Sequence, residues 1–487
     1  MNTRGVSLCL IVALCGLCGG CLVGPDYHRP QVPVPARYTE LPGWTSAVPA
    51  DAAPKGDWWT DFRDPLLDRL EPLIAVSNQT VRQDYANYQQ ALAEVRVARS
   101  QLFPTVGITG SATRARGAAA NAAGTGTGAG ASGGGTVINA GSLEATASWS
   151  PDLWGEVRRL IEENAATAQA DEATLANATL SEQALLATTV IELRMTDADI
   201  DLQQKTVEAY RDALRITEEQ GSAGITATPP SAVITARVAL ETVEASLIGL
   251  GVARAEYAHA IAVLVGKNPE ELDIAHSSVT PTLPAIPVGL PSTLLQRRPD
   301  IAAAERTMAA QNAAVGIAVA AYYPTLSLSA AAGYSQSPLN GLLRAANHVW
   351  SIGATGTETV FDFGERRAEV AAARAAYEGA VASYRGTVLN AFEGVENDLS
   401  GLRILAQQAQ ALDVAVRDAI QGTQIALAEF EAGTVDYTTV AAAEETQLSD
   451  QQAALNVEQS RLLAAVSLIG DLGGGWSESE LSDPLHR

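Results

Sequence analysis

The string Phe103-Pro104-Thr105-Val106-Gly107-Ile108 comes back 220 residues later as Tyr323-Pro324-Thr325-Leu326-Ser327-Leu328. Asp152-Leu153-Trp154-Gly155-Glu156 comes back as Asp362-Phe363-Gly364-Glu365, 209 residues on at the glycine. Glu219 to Gly224 is echoed by Glu429 to Gly433, and Leu264-Val265-Gly266 by Leu468-Ile469-Gly470. Four anchors in one order define a tandem duplication, so whatever one half builds the other must build too. The halves fall at 57–267 and 295–475, joined by a proline-containing linker over 268–294 and followed by a tail over 476–487.

Each half carries two stretches of about ten residues with period-two alternation. They lie near 104–116, 141–153, 324–336 and 348–361. In the second, Leu143, Ala145, Ala147 and Trp149 alternate with Ser142, Glu144, Thr146 and Ser148. One apolar side and one Ser/Thr side suit a membrane barrel strand with a wet lumen. A soluble sheet with one solvated face shows the same alternation. Around the strands run proline-free helical stretches, Gly155 to Gln220 and Gly364 to Ala432. In the second of these, Val370, Ala373, Tyr377, Val381, Tyr384, Val388, Ala391, Val395, Leu399 and Leu402 step by three and four, the spacing of a coiled-coil seam. Shorter helices are expected over Pro65–Gln101, Ser231–Val265, Pro299–Ala321 and Tyr437–Ile469.

The predicted fold class is therefore mainly α with a membrane β-barrel portion, four strands per protomer on a long α-helical coiled-coil tunnel. Four strands cannot close a barrel, since the smallest membrane barrels use about eight. An open sheet in lipid leaves two edges of unpaired backbone groups. The membrane reading thus requires several copies; a homotrimer supplies a twelve-stranded wall, whereas eight strands leave little lumen.

Charge and termini narrow the class further. A formal charge of −23 opposes a nucleic-acid partner. Beyond residue 20 no run of about 18 apolar residues is expected to span a bilayer as a helix. All four cysteines, Cys9, Cys15, Cys18 and Cys21, lie in the first 21 residues. Arg4, the apolar run Val6 to Leu17 and the small Gly19-Gly20 form an export signal over 1–20. The segment resembles a bacterial lipoprotein signal, which implies acyl chains on Cys21 as the only covalent attachment and no other cofactor. Prolines at 25, 30, 33, 35, 42, 49 and 54 predict an extended, lipid-anchored stalk over 21–56.

Several strings together resemble the TolC-like outer-membrane efflux factor family, in its NodT/OprM-type lipoprotein branch. They are Cys21-Leu22-Val23-Gly24-Pro25-Asp26-Tyr27, Asp152-Leu153-Trp154-Gly155-Glu156, Pro291 to Ile301 and Ala320-Ala321-Tyr322-Tyr323-Pro324. The resemblance implies an exit duct in the outer membrane of a Gram-negative bacterium, with its helical portion in the periplasm. It implies docking to a periplasmic membrane-fusion adaptor and an inner-membrane transporter of RND type, with passive conduction of drugs or other small molecules. Leu22 lacks the Asp that marks inner-membrane retention. A duct for type I polypeptide secretion and a non-channel periplasmic coiled-coil lipoprotein are the alternative readings.

Carried over residue by residue, the family's closed periplasmic tip falls at Gly224 and Gly433 and continues through Asp436 and Tyr437. The family's narrowing Asp positions read Thr439 and Ala442 here; Asp436, Glu444 and Glu445 are candidate substitutes, or simply a solvated helix face. Asp152 and Asp362, just before helix-opening glycines, are expected to cap free N–H groups. Arg297 and Arg298 are expected to pair with acids such as Glu305. The glycines of 117–135 lack a following Gly-Lys-Ser/Thr, so they read as a rim loop rather than a phosphate cradle. No enzyme is expected: His28, His259, His276, His348 and His486 show no ligand spacing, and no Gly-x-Ser-x-Gly occurs.

Overall fold

The computed structural model describes residues 22–35, 37–40, 57–116, 137–223, 230–277, 279–286, 295–337 and 340–485. The signal segment, Cys21, Gly224 and the glycine-rich 117–135 lie outside the described residues. The first half contains α1 (Pro65–Ser77), α2 (Gln79–Ser100), β1 (Thr105–Arg116), β2 (Val137–Trp149), α3 (Glu156–Ser222) and α4 (Pro230–Leu264). The second contains α5 (Pro299–Ala320), β3 (Thr325–Gln336), β4 (His348–Thr357), α6 (Glu365–Glu431) and α7 (Tyr437–Asp471). Helices α3 and α6 have 67 residues each, about 100 Å at the rise of an α-helix.

Three boundaries differ from the sequence expectation. Strand β2 runs 137–149 rather than 141–153, because Pro151 and the Asp152 turn end the ladder early. Strand β4 stops at Thr357 rather than 361. The helix expected over 65–101 breaks at Asn78, whose extended backbone (φ −63°, ψ 134°) ends α1 while its side chain accepts from the N–H groups of Thr80 and Val81. Asn78 Nδ2 also donates to Leu264 O at 2.9 Å, so the break is where α1 and α2 dock on the end of α4.

The four strands form one antiparallel sheet in the order β1-β2-β3-β4. Its register places Ile108, Ala145, Ala332 and Trp350 in one row, and Thr109, Glu144, Gly333 and Val349 in the next. The Ser/Thr residues of every strand therefore share one face, and most of the apolar residues share the other. Below the sheet the predicted seam of α6 is buried from Tyr384 to Leu402, where it meets α1, α3, α5 and α7 in the main core.

Residues 22–40 are not a free spacer; they are strapped along the helical body. Val23 N donates to Trp154 O (3.1 Å), and Arg159 reaches Val23 O and the Asp26 carboxylate. The Tyr27 hydroxyl donates to Glu305, Arg29 reaches the Tyr384 hydroxyl, and Glu396 accepts from the N–H groups of Thr39 and Glu40. Glu305, offered by the sequence as one acid for Arg297 and Arg298, is held by Tyr27 of the strap and by Arg306. Arg298 instead pairs with Asp300 and Asp471, both at 2.8 Å.

Helix α4 also corrects the sequence reading: by length and composition it does pass for a membrane span, and only 11% of its apolar window is buried. Ion pairs nevertheless tie it along α3, Arg237–Glu218, Glu244–Arg211 and Arg254–Asp197. Asp197 is fully buried and also receives His276 Nδ1 and Ser277 N, which pins the linker to α3.

Glu71 in α1 is fully buried with neither carboxyl oxygen partnered, and burial pushes it up to about 9. It is therefore neutral in the fold at pH 7 but ionised in the unfolded chain, so its contribution declines as pH rises from the free carboxyl value toward 9. We expect Glu71→Leu to raise stability by about 1–3 kcal/mol, with a larger gain at about pH 8.5 than at about pH 5 in thermal unfolding.

Candidate functional site

The sheet and the far ends of the long helices carry whatever this molecule does. On the polar face of the strands, Glu144 is the ionisable side chain among the described residues, in a row with Thr109 and Gly333. Its backbone and stem lie so close over Gly333 that a Cβ there would sit 2.6 Å from Glu144 Cα, so the glycine makes room for the carboxylate. On the apolar face, Trp350 and Ile352 are 70% and 79% exposed. A face this apolar belongs in lipid, which turns Glu144 and the Ser/Thr rows toward the lumen.

Where strand passes to helix, each half uses an Asp and a glycine. Asp152 accepts from Gly155 N (2.8 Å) and Arg158 N (3.0 Å), and holds Arg158 Nε at 3.1 Å. Asp362 accepts from Gly364 N (2.9 Å) and Arg366 Nε (2.6 Å), and the Arg366 guanidinium holds its carboxyl below the usual range. Gly155 (φ 86°) and Gly364 (φ 94°) occupy the left-handed region that starts each long helix. Trp154 stacks on Tyr323 with centroids 4.9 Å apart, and its Nε1 donates to Pro324 O at 2.7 Å. That contact joins the two halves at the base of the sheet.

At the opposite end the two helical hairpins meet. Ala213 of α3, Ala232 and Ala236 of α4, Ala426 and Phe430 of α6, and Tyr437 and Val440 of α7 form one small cluster. Gly433 has φ 72°, and the N–H of Thr434 donates back to Glu429 O (2.9 Å), a glycine-terminated helix end. Asp436 precedes α7 and accepts from the Thr438 hydroxyl at 2.5 Å, which keeps its carboxyl low. Thr439, Ala442 and Glu445 are exposed.

Glu444 differs from the solvated-face expectation. Its Oε2 and the Tyr437 hydroxyl are both buried, and they face each other. Burial pushes Glu444 up to about 7, while burial beside Glu444 and Glu445 pushes Tyr210 of α3 up to about 12. The small tip cluster thus packs beside a carboxyl that burial raises well above its free value. Sequence spacing did not single out Glu444 from Glu445 because both lie in the same polar stretch; only the packing of α3 against α7 separates them.

A sheet that is a fraction of a barrel wall, set on a helical conduit of this length, defines an outer-membrane channel. Residues 72–267 and 290–474 match the outer membrane efflux protein family, and the chain belongs to that family. It is 29% identical over 478 residues to the toluene efflux pump outer membrane protein TtgC of Pseudomonas putida, covering 97% of this chain and 96% of that one. The solved outer-membrane channel OprN superposes with a TM-score of 0.85 at 29% identity, covering 94% of this chain and all of OprN (100%). The Campylobacter jejuni CmeC outer membrane channel, at 23% identity and a TM-score of 0.86, shares the fold over 94% of this chain and 96% of its own. Family members are channels rather than enzymes. The sheet lies in the outer membrane of a Gram-negative bacterium and the helical body in the periplasm.

Because burial raises Glu444 to about 7, the tip is tightest below the free carboxyl value and loosens as pH climbs from there to about 7. Amide exchange at the α6–α7 turn should therefore speed up between the free carboxyl value and about 7, by as much as about tenfold per pH unit beyond the intrinsic base dependence, and show no excess rise above that range. Glu444→Gln should remove this excess.

Proposed function

We propose that the chain is the exit duct of a tripartite efflux system, a lipid-anchored homotrimer that conducts small molecules passively from the periplasmic tip to the cell exterior. Cys21 carries the acyl chains, and Leu22 beside Gly155 starts the strap at the strand-to-helix junction, at the level where an anchor meets the membrane. A periplasmic adaptor and an inner-membrane transporter of RND type engage the tip formed by the α3–α4 and α6–α7 hairpins. Toluene is named for a relative with this chain's full length; for this duct we propose drugs and other small amphipathic molecules as cargo.

One observation carries the reading: a sheet with one apolar and one hydroxyl-rich face whose two outer strands each have a single neighbour. In lipid such a sheet exists only as part of a closed ring, and a ring of several sheets encloses water. The chain's formal charge of −23 and Glu144 on the lumen face favour cations inside it.

Purified protein in planar bilayers should give cation-selective conductance. Glu144→Lys should reduce or invert that preference while leaving insertion intact. A protein that inserts without conducting, or conducts anions preferentially, overturns the reading.

A further inference from the structure

The duplication fixes more than the fold of each half. Thr105 opposes Ser148 in the first hairpin, and Thr325 opposes Thr357 in the second. A step of 220 residues carries β1 onto β3, and one of 209 carries β2 onto β4, so the two hairpins share one register. A third ladder, β2 with β3, joins the halves by nine pairs from Gly141–Gln336 to Trp149–Leu328. Just below it Trp154 stacks on Tyr323.

The same two steps can be applied to this joint. Gly141 becomes Trp350 and Gln336 becomes Arg116; Thr146 becomes Thr355 and Ala331 becomes Ser111. Trp154 becomes Phe363 and Tyr323 becomes Phe103. The strand residues lie on the two free edges of the sheet, β4 and β1, and the aromatic ones just below those edges are bare: Phe363 is 92% exposed, Phe361 72% and Phe103 67%. Phe363 also has a left-handed backbone (φ 54°), uncommon for a residue of its bulk, and its ring lies 4.5 Å from that of Phe361. Asp362 stands one residue nearer its glycine than Asp152 does. The Phe361–Phe363 pair therefore occupies the place held by one Trp in the first half.

We infer that β4 of one copy pairs with β1 of the next in the register the duplication prescribes, from Trp350 opposite Arg116 to Thr357 opposite Thr109, with the Phe361–Phe363 pair seated on the next copy's Phe103. This rests on the ring closure proposed above and adds its register and its aromatic lock. The register keeps each face of the sheet continuous, because the two steps carry each face onto itself. It sets Trp350, Ile352 and Ala354 of the apolar face beside Arg116, Arg114 and Ala112, which lie on the same face of β1. Ser351, Thr355 and Thr357 fall beside Ala115, Ser111 and Thr109 on the lumen face. A slip of one residue would turn hydroxyls into lipid. Arg116 also arrives at the level of the exposed Trp350 ring, a pairing of cation and indole face.

Cys21 is the single cysteine after the signal segment, so introduced thiols report cleanly. In outer-membrane vesicles, the double variants S111C/T355C and A112C/A354C should give covalent oligomers under oxidation or a short thiol cross-linker. Yields should be severalfold above the pairs slipped by two, S111C/G353C and A112C/I352C. Oligomers whose slipped pairs link as well as or better than the prescribed ones overturn the register while leaving the duct intact. Protein that stays monomeric in every variant overturns the duct and the seam together. For the lock, F103A and F361A/F363A should each lower the temperature at which the oligomer dissociates, and the triple variant should lose no more than the larger of the two. Additive losses, or none, overturn the seat.

Discussion

A peptide group inside lipid must find its hydrogen bond within the protein, because no water is there to supply one. In this chain that requirement falls on the two outer edges of a four-stranded sheet, each with a single neighbour. The rest of the molecule can be understood as the apparatus that presents those edges correctly. The hairpins emerge from helices on one side only. The Asp–Gly junctions set the angle at which each strand hands over to a helix. The Trp154–Tyr323 stack holds the two hairpins at one spacing, so that the sheet is a fixed arc rather than two loose ribbons.

The helical body faces a different demand. Two helices of 67 residues, rich in alanine, bury little area per residue and cannot be kept parallel by a wide apolar core. Polar contacts therefore take over at intervals. Arg194 is bonded to Asp64 in a buried pair (2.8 Å), and Asp197 gathers Arg254, His276 and Ser277. Breaking one partner of such a pair leaves an unpaired buried charge, typically costing about 3–5 kcal/mol. Specific alignment of long, smooth helices is the benefit these pairs bring.

Much of this could be read directly from the residues. Strand faces followed from strict alternation, since a period of two admits only two sides, and the cross-strand register put Leu143, Ala145, Ala147 and Trp149 of β2 beside Tyr334, Ala332, Ala330 and Leu328 of β3. The seam of α6 followed from steps of three and four, and Tyr384 to Leu402 are indeed its buried part. What the residues concealed were contacts between distant segments. Asn78 is itself an N-cap residue that could have marked the break between α1 and α2, but its docking on the end of α4, almost two hundred positions away, shows only in the fold. Glu71 looks like a surface acid of an amphipathic helix until the surrounding helices close over it. Glu444 and Glu445 are adjacent in sequence, yet one faces the α3 packing and the other water. The proline-rich beginning announced its extended backbone but not its attachment, because an extended strap shows no periodicity of its own.

That attachment has a consequence for biogenesis. Residues 23–40 bond to Arg159 and Trp154 from the first half, then to Glu305, Tyr384 and Glu396 from the second. A segment that precedes both halves in the chain is thus unable to settle until nearly the last helices exist. The amino-terminal end acts as a closing seam for the whole protomer, fastened only on a chain whose two halves have already come together.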